Sequence, residues 1–329
     1  MNGREELVRR LSLKRRQQLG TLSDDAFQEL ELAVRSNPDR FVDDNQERAF
    51  SIVVQALERM EASHHDDDLL DDEQFQQART RRFDALAHAC DEALSYDDTC
   101  ADALVLQTLC TSMSLDHTVT QLVEFDGELA KTQGGIDIPA SGDAWTDVFL
   151  RPRLRLKDVL SRACLNSARY RMAREQCLDL LQRAPLDALG ARLTCALAMA
   201  RLEDEEGFNW LDAREGRRGN AWFHLSRVLL MYKLDRLPAA RRALRGYDQL
   251  CVGGAYALLQ PTFVEVYLPD RPAYTPGAFE ESVLAVHEAD PVVADVPDFC
   301  AWACDQPGFL ASAQSFCERN GLEWRGWEE

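Results

Sequence analysis

YRMAREQCLDLLQRAP, residues 170–185, is the stretch whose reading decides the fold. It sets Tyr170, Ala173, Cys177, Leu180 and Pro185 at offsets 0, 3, 7, 10 and 15. Steps of three and four place the first four side chains on one stripe of an α-helix. The proline, which has no N–H to continue the ladder, closes it. Counting back predicts a preceding helix over about 154–167, with Leu160, Ser161 and Cys164 at its packing positions. Counting forward predicts another over about 188–201, with Ala191, Cys195 and Ala198 on the contact face. A third pass puts Trp222, Leu225, Ser226 and Leu229 at offsets 0, 3, 4 and 7, and Lys233–Leu244 then reads as a turn and second helix. A weaker echo lies upstream in Ala89, Cys90, Ala93 and Leu94, followed by Asp97-Asp98 and a helix carrying Ala103, Leu104 and Leu106.

These positions resemble the tetratricopeptide repeat family, loosely over 80–114 and more fully over 154–250. Such a unit has an aromatic at its helix turn, a small residue where its two helices touch, and a closing proline on a 34-residue period. No unit carries the full Trp-Leu-Gly-Tyr set, and Ser161, Cys195 and Ser226 stand where glycine is usual. The resemblance implies an all-α chain of antiparallel helix pairs stacked into a right-handed solenoid, the first helix of each pair lining the concave face.

Outside the repeats the periodicity stays helical. Residues 24–35 carry Phe27, Leu30, Leu32 and Val34 behind a capping Ser23, and Asn37-Pro38 stops that helix. Residues 45–61 line up Phe50, Val53, Val54, Leu57 and Met60, and helices resume over 74–95 and 101–113. Thr132–Gly142 is the clearest break. Three regions follow: an acidic helical region over 1–145, the repeats over 146–250, and an irregular helical cap over 251–329. The cap includes the proline-rich loop 267–276 and short helices over 277–289, 297–305 and 308–320. Covering the last repeat is its default role. Folding back into the groove as an internal ligand is the other.

The net charge is −19 over 329 residues, but it is strongly partitioned. Residues 1–20 carry +4, 21–150 carry −21, 151–245 carry +9 (20 Arg/Lys against 11 Asp/Glu), and 246–329 carry −11. So acidic a chain repels nucleic acid and anionic membranes. No apolar run approaches the ~20 residues a bilayer span requires. The first twenty residues have no apolar signal-peptide core, and ten cysteines sit scattered in apolar helical contexts, so a reduced, cytoplasmic protein is expected.

No catalytic motif is present: no G-x-S-x-G, phosphate-binding loop, dinucleotide fingerprint or H-E-x-x-H. Cys300 and Cys304 make half a zinc set without a partner pair, and Cys90, Cys100 and Cys110 occupy positions that want a small apolar residue. His64-His65-Asp66-Asp67-Asp68 lacks the glycine and terminal glutamate of a calcium loop and reads as a solvated acidic loop. The basic N-terminus, Arg4 to Arg16, is expected to lie on the acidic body or stay flexible, having no aromatics for base stacking. No cofactor and no metal is therefore expected.

The sharpest functional feature is the basic island. In the repeat register Arg155, Arg162 and Asn166 face inward from one unit, Arg192 and Met199 from the next, and Asn220, Phe223, His224 and Arg227 from the third. Guanidinium forks suit carboxylates, since two parallel bonds fix orientation as well as affinity. The expected function is a non-catalytic scaffold that binds an acidic or C-terminal-carboxylate peptide there. The alternative is a homo-oligomeric module whose groove holds its own acidic segment. An enzyme with a site near 132–150 or under loop 267–276 is the third class.

Overall fold

In the computed structural model of the protein, residues 3–325 are described, apart from 66, 112, 215 and 218. Of the His64–Asp68 loop, Asp66 and the Asp68 side chain thus lie outside the described residues. Among the described residues the chain is 72% helix and has no strand, as an all-α reading expects. The chain forms two compact units. Unit 1 comprises Met1–Val159, Arg183–Leu186 and Tyr267–Arg271; unit 2 comprises Leu160–Gln182, Asp187–Val266 and Pro272–Glu329. The sequence boundaries at 145 and 250 do not coincide with this division. Apart from Tyr267–Arg271, the cap region shares unit 2 with repeat helices, and its longest helix packs on two of them.

Unit 1 is built from α1 (Gly3–Leu19), α2 (Asp24–Ser36), α3 (Asn45–Ala62), α4 (Asp72–Tyr96), α5 (Ala101–Cys110), α6 (Leu115–Gln133) and the first half of α7 (Arg151–Asn166). Side-chain oxygens start several helices: Ser23 accepts from the Ala26 N–H, Asp44 from Glu47, and Asp71 with Gln74 forms a capping box. One apolar cluster joins α1, α2 and α3 through Leu7, Val8, Leu11, Val34, Phe50 and Val54. A second joins α3, α4 and α5 through Val53, Met60, Leu86, Cys90 and Leu106. The basic N-terminus, expected to lie on the acidic body or stay flexible, is the helix α1 and lies on that body, packed on α2 and α3 and paired with Glu31, Asp44 and Glu47. Its stripe of Leu7, Val8 and Leu11 is buried, and its inward charges are neutralised by bidentate partners. Arg10 bonds both carboxylate oxygens of Glu47 at 2.9 Å.

Unit 2 continues with α8 (Tyr170–Arg183), α9 (Ala191–Arg201), α10 (Glu205–Arg214), α11 (Ala221–Lys233), α12 (Leu237–Leu250), α13 (Gly254–Leu259), α14 (Phe279–Ala294), α15 (Phe299–Cys304) and α16 (Phe309–Asn320). Three of its turns share one geometry. Ala168, Glu203 and Asp235 each adopt a left-handed conformation, with φ of 60°, 60° and 54°. The next N–H in each case reaches back to the carbonyl five residues earlier: Arg169 to Cys164, Asp204 to Met199, Arg236 to Met231. This is the helix-ending motif in which a left-handed residue turns the chain sharply. The stripe that decided the fold is buried throughout: Tyr170, Ala173, Cys177 and Leu180 on α8, Cys195 and Ala198 on α9, Trp222, Leu225, Ser226 and Leu229 on α11.

Candidate functional site

Helix α9 is buried on nearly every side, nine of its eleven residues being enclosed. A helix apolar all round has neighbours all round. Here α10 and α11 cover two faces, and the helix that packs across both α9 and α11 is α14. Helix α14, from the chain's own C-terminal region, thus covers a surface shared by α9 and α11. Leu284, Ala285, Val286, Ala289 and Val292 of α14 are buried. Each fully buried Val or Leu contributes roughly 1.5–3 kcal/mol.

Polar contacts orient α14. Glu281, only 6% exposed, accepts the Ala221 N–H through one carboxylate oxygen and the Gly277 N–H through the other, both at 2.6 Å. Ala221 opens α11, so this carboxylate satisfies one of the helix's unbonded N-terminal donors and lies at the positive end of its dipole. At the far end, the Tyr170 hydroxyl donates to the Pro291 carbonyl at 3.0 Å, and Arg201 pairs with Asp295 just past α14. The Trp222 ring lies 5.3 Å from Tyr274, in the segment leading into α14.

The residues read as groove-lining are dispersed. Arg155 belongs to unit 1 and is wholly enclosed: it makes paired bonds to Glu6 (2.9 and 3.0 Å) and to Asp102 (2.6 and 2.8 Å). Burial works against its charge, but those two carboxylates hold it well above the ordinary arginine range. It lines no open surface. Asn166 is exposed at the end of α7 and Arg162 half-buried. Arg192 is pinned to Asp187 at 2.7 Å, and Arg227 to Asp212 at 2.6 Å while lying over the Phe208 ring. Met199 and Phe223 are buried, Phe223 against Phe208 at 5.8 Å. Asn220 is spent on capping α11, accepting the Phe223 N–H. His224 packs onto Gly219, where a Cβ would fall 2.4 Å from its Nε2, so only glycine fits. Burial first, then Arg227, pushes its pKa down, leaving it neutral near pH 7.

Local ion pairs thus neutralise much of the basic island, and the element lying on α9 and α11 is an acidic helix from the segment that the sequence offers as a cap or an internal ligand. Two signals pointed to it: α9 has no polar face of its own, and a stretch of net −11 follows one of net +9. The residues read as chemistry candidates assemble no centre. Among the described residues no three His, Cys, Asp or Glu side chains stand close enough to hold a metal, and all ten cysteines are free thiols. His64 instead joins Asp67, which Arg82 grips. No described helix is long and apolar enough to cross a membrane. No protein-family model, curated protein or solved structure matches this chain.

Proposed function

We propose that this chain is a non-catalytic, cytoplasmic protein-interaction module. In this reading α9–α10 and α11–α12 are tetratricopeptide-like hairpins, and their shared inner face is shaped for an acidic amphipathic helix. The recurrent turn at Ala168, Glu203 and Asp235 supports the hairpin stacking. The observation that carries the function is Glu281, a buried carboxylate delivered by a helix with an apolar face to the N-terminus of α11. An acidic helix from a partner protein would use the same apolar seat and the same backbone donor. Arginines 192 and 227, tied to acidic neighbours, then shape the rim rather than grip the ligand.

A peptide spanning residues 277–296, labelled and titrated into the full chain, tests this. Glu281→Lys loosens the resident helix and should raise peptide affinity by about tenfold, while about 500 mM NaCl should lower it. Equal affinity for both chains, insensitive to salt, would remove the inner face from consideration. The occupied face also favours a second reading, in which two copies exchange α14. Light scattering over a range of concentrations separates a monomer from that exchanged dimer.

A further inference from the structure

An exposed cleft, distinct from the α14 seat, runs between α3 and α4 in unit 1. It is a groove of about 640 Å³ with a floor of small and apolar side chains, Ala56, Met60, Ala85, Leu86 and Ala89. The two helices run antiparallel, since Arg82 bonds the Ser63 carbonyl at the end of α3 while Arg48, near its start, lies over the Tyr96 ring that ends α4. The loop end of the groove is pre-organised. Arg82 holds Asp67 through two bonds, His64 bonds the same carboxylate, and together they keep the Asp67 carboxyl down at about 2. The rim is basic: Arg59 projects from α3 and Arg81 and His88 from α4, all exposed, against one lining carboxylate, Glu92. Neither Arg59 nor Arg81 has an ion-pair partner among the described residues. Two guanidinium groups without ion-pair partners, one from each helix, beside an apolar floor are out of character in a stretch whose net charge is −21.

We infer that this groove is a docking site for an acidic amphipathic helix of another protein. The floor alanines leave room for the partner's large aliphatic side chains, and the two arginines meet carboxylates on either flank of its apolar stripe. From Ala78 to Glu92 the groove runs roughly 20 Å, the length of a helix of about 14 residues. Glu92 marks one end, and Arg81, beside the Asp67-paired Arg82, lies towards the other. A bound helix therefore lies with its N-terminus towards Glu92 and its C-terminus towards the arginines. A partner is favoured over a second copy because two chains of net −19 repel each other.

The test uses a labelled helical peptide of about 18 residues, with leucines at helical spacing and glutamates on both flanks, titrated into the full chain by fluorescence anisotropy. Arg59→Glu combined with Arg81→Glu should weaken binding at least about tenfold, as should a lysine-flanked peptide. Ala85→Trp, which fills the floor from an exposed position, should do the same, and adding Arg59→Glu and Arg81→Glu to a Glu281→Lys chain should cost as large a fold-loss as in wild type, which separates this groove from the α14 seat. The inference fails if the acidic peptide does not saturate, if the groove variants bind it like wild type, or if the lysine peptide binds equally well. It also fails if sedimentation shows a dimer that the double arginine variant dissolves, for the occupant would then be a second copy.

Discussion

Arg155 illustrates how little a charged residue's type says about where it points. The repeat register aimed it at a ligand; the fold encloses it between Glu6 and Asp102. Removing one member of a buried ion set leaves charges with no solvent and no partner, which costs about 3–5 kcal/mol. Arg155→Ala should therefore lose that much stability in urea titrations, while the combined change of Arg155, Glu6 and Asp102 to apolar residues of similar size should restore most of it. A mild single variant would mean that water reaches the site. Asp187 gives a pH-dependent counterpart. Burial lifts its pKa to about 6 although Arg192 and two backbone N–H groups favour the charged form. The unfolded value is near 3.9, so between the two values the folded state holds the extra proton. Stability from this group therefore falls as pH rises through that window and is lowest above it. Lowering the pH from about 7.5 to 5 should stabilise wild type relative to Asp187→Asn by about 1.4 kcal/mol. No difference in the urea midpoints across that range would show a carboxylate ionised throughout.

Individual helices were far easier to read than their neighbours. Stripes such as Tyr170–Leu180 follow from side-chain period alone, and so did the cap at Ser23 and the stop at Asn37-Pro38. What period does not encode is which element covers a face. Helix α9, with no polar side, said only that something lies on it; that the cover is α14 depends on contacts some ninety residues away. Helix α1 was legible as a basic segment lying on the acidic body, but its charged composition gave no sign of how deeply Leu7, Val8 and Leu11 are buried there. The hairpin turns give a prediction at this scale. Ala168 holds φ of 60°, which costs an L-residue with a Cβ roughly 1–2 kcal/mol and glycine almost nothing. Ala168→Gly should thus stabilise the protein by about 1 kcal/mol, whereas Ala198→Gly, in the buried middle of α9, should destabilise it by at least about that amount. The same exchange with opposite signs, read as shifts in Tm, separates turn strain from helix propensity. A loss at both positions would show that the turn does not strain Ala168.

Charge is where the molecule as a whole was partly legible from its sequence. The alternation of acidic and basic stretches is plain, and part of its resolution is internal: Arg174 with Asp204, Lys233 with Glu203 and Arg236 with Glu205 pair within the basic stretch, and Arg201 reaches the acidic end at Asp295. Side-chain period and composition could not assign these partners, because pairing depends on which turns the stacked helices bring level. The same excess of negative charge bears on the ten thiols. Burial pushes Cys100 and Cys251 up to about 12 and Cys164 to about 11, with nearby carboxylates adding to the rise at Cys100 and Cys251. A thiol reacts as its thiolate, so each of these is inert twice over, shielded from reagent and protonated. Cys110, Cys300 and Cys304 are the half-exposed ones, and of these Cys304 is the least shielded by burial. Timed alkylation with neutral iodoacetamide at about pH 8, followed by peptide mass spectrometry, should mark Cys304 first and Cys300 and Cys110 after it. The other seven should label only once urea unfolds the chain. Early labelling of Cys195 or Cys164 would mean that the packing around α9 and α7 opens in the native state, and with it the seat that α14 occupies.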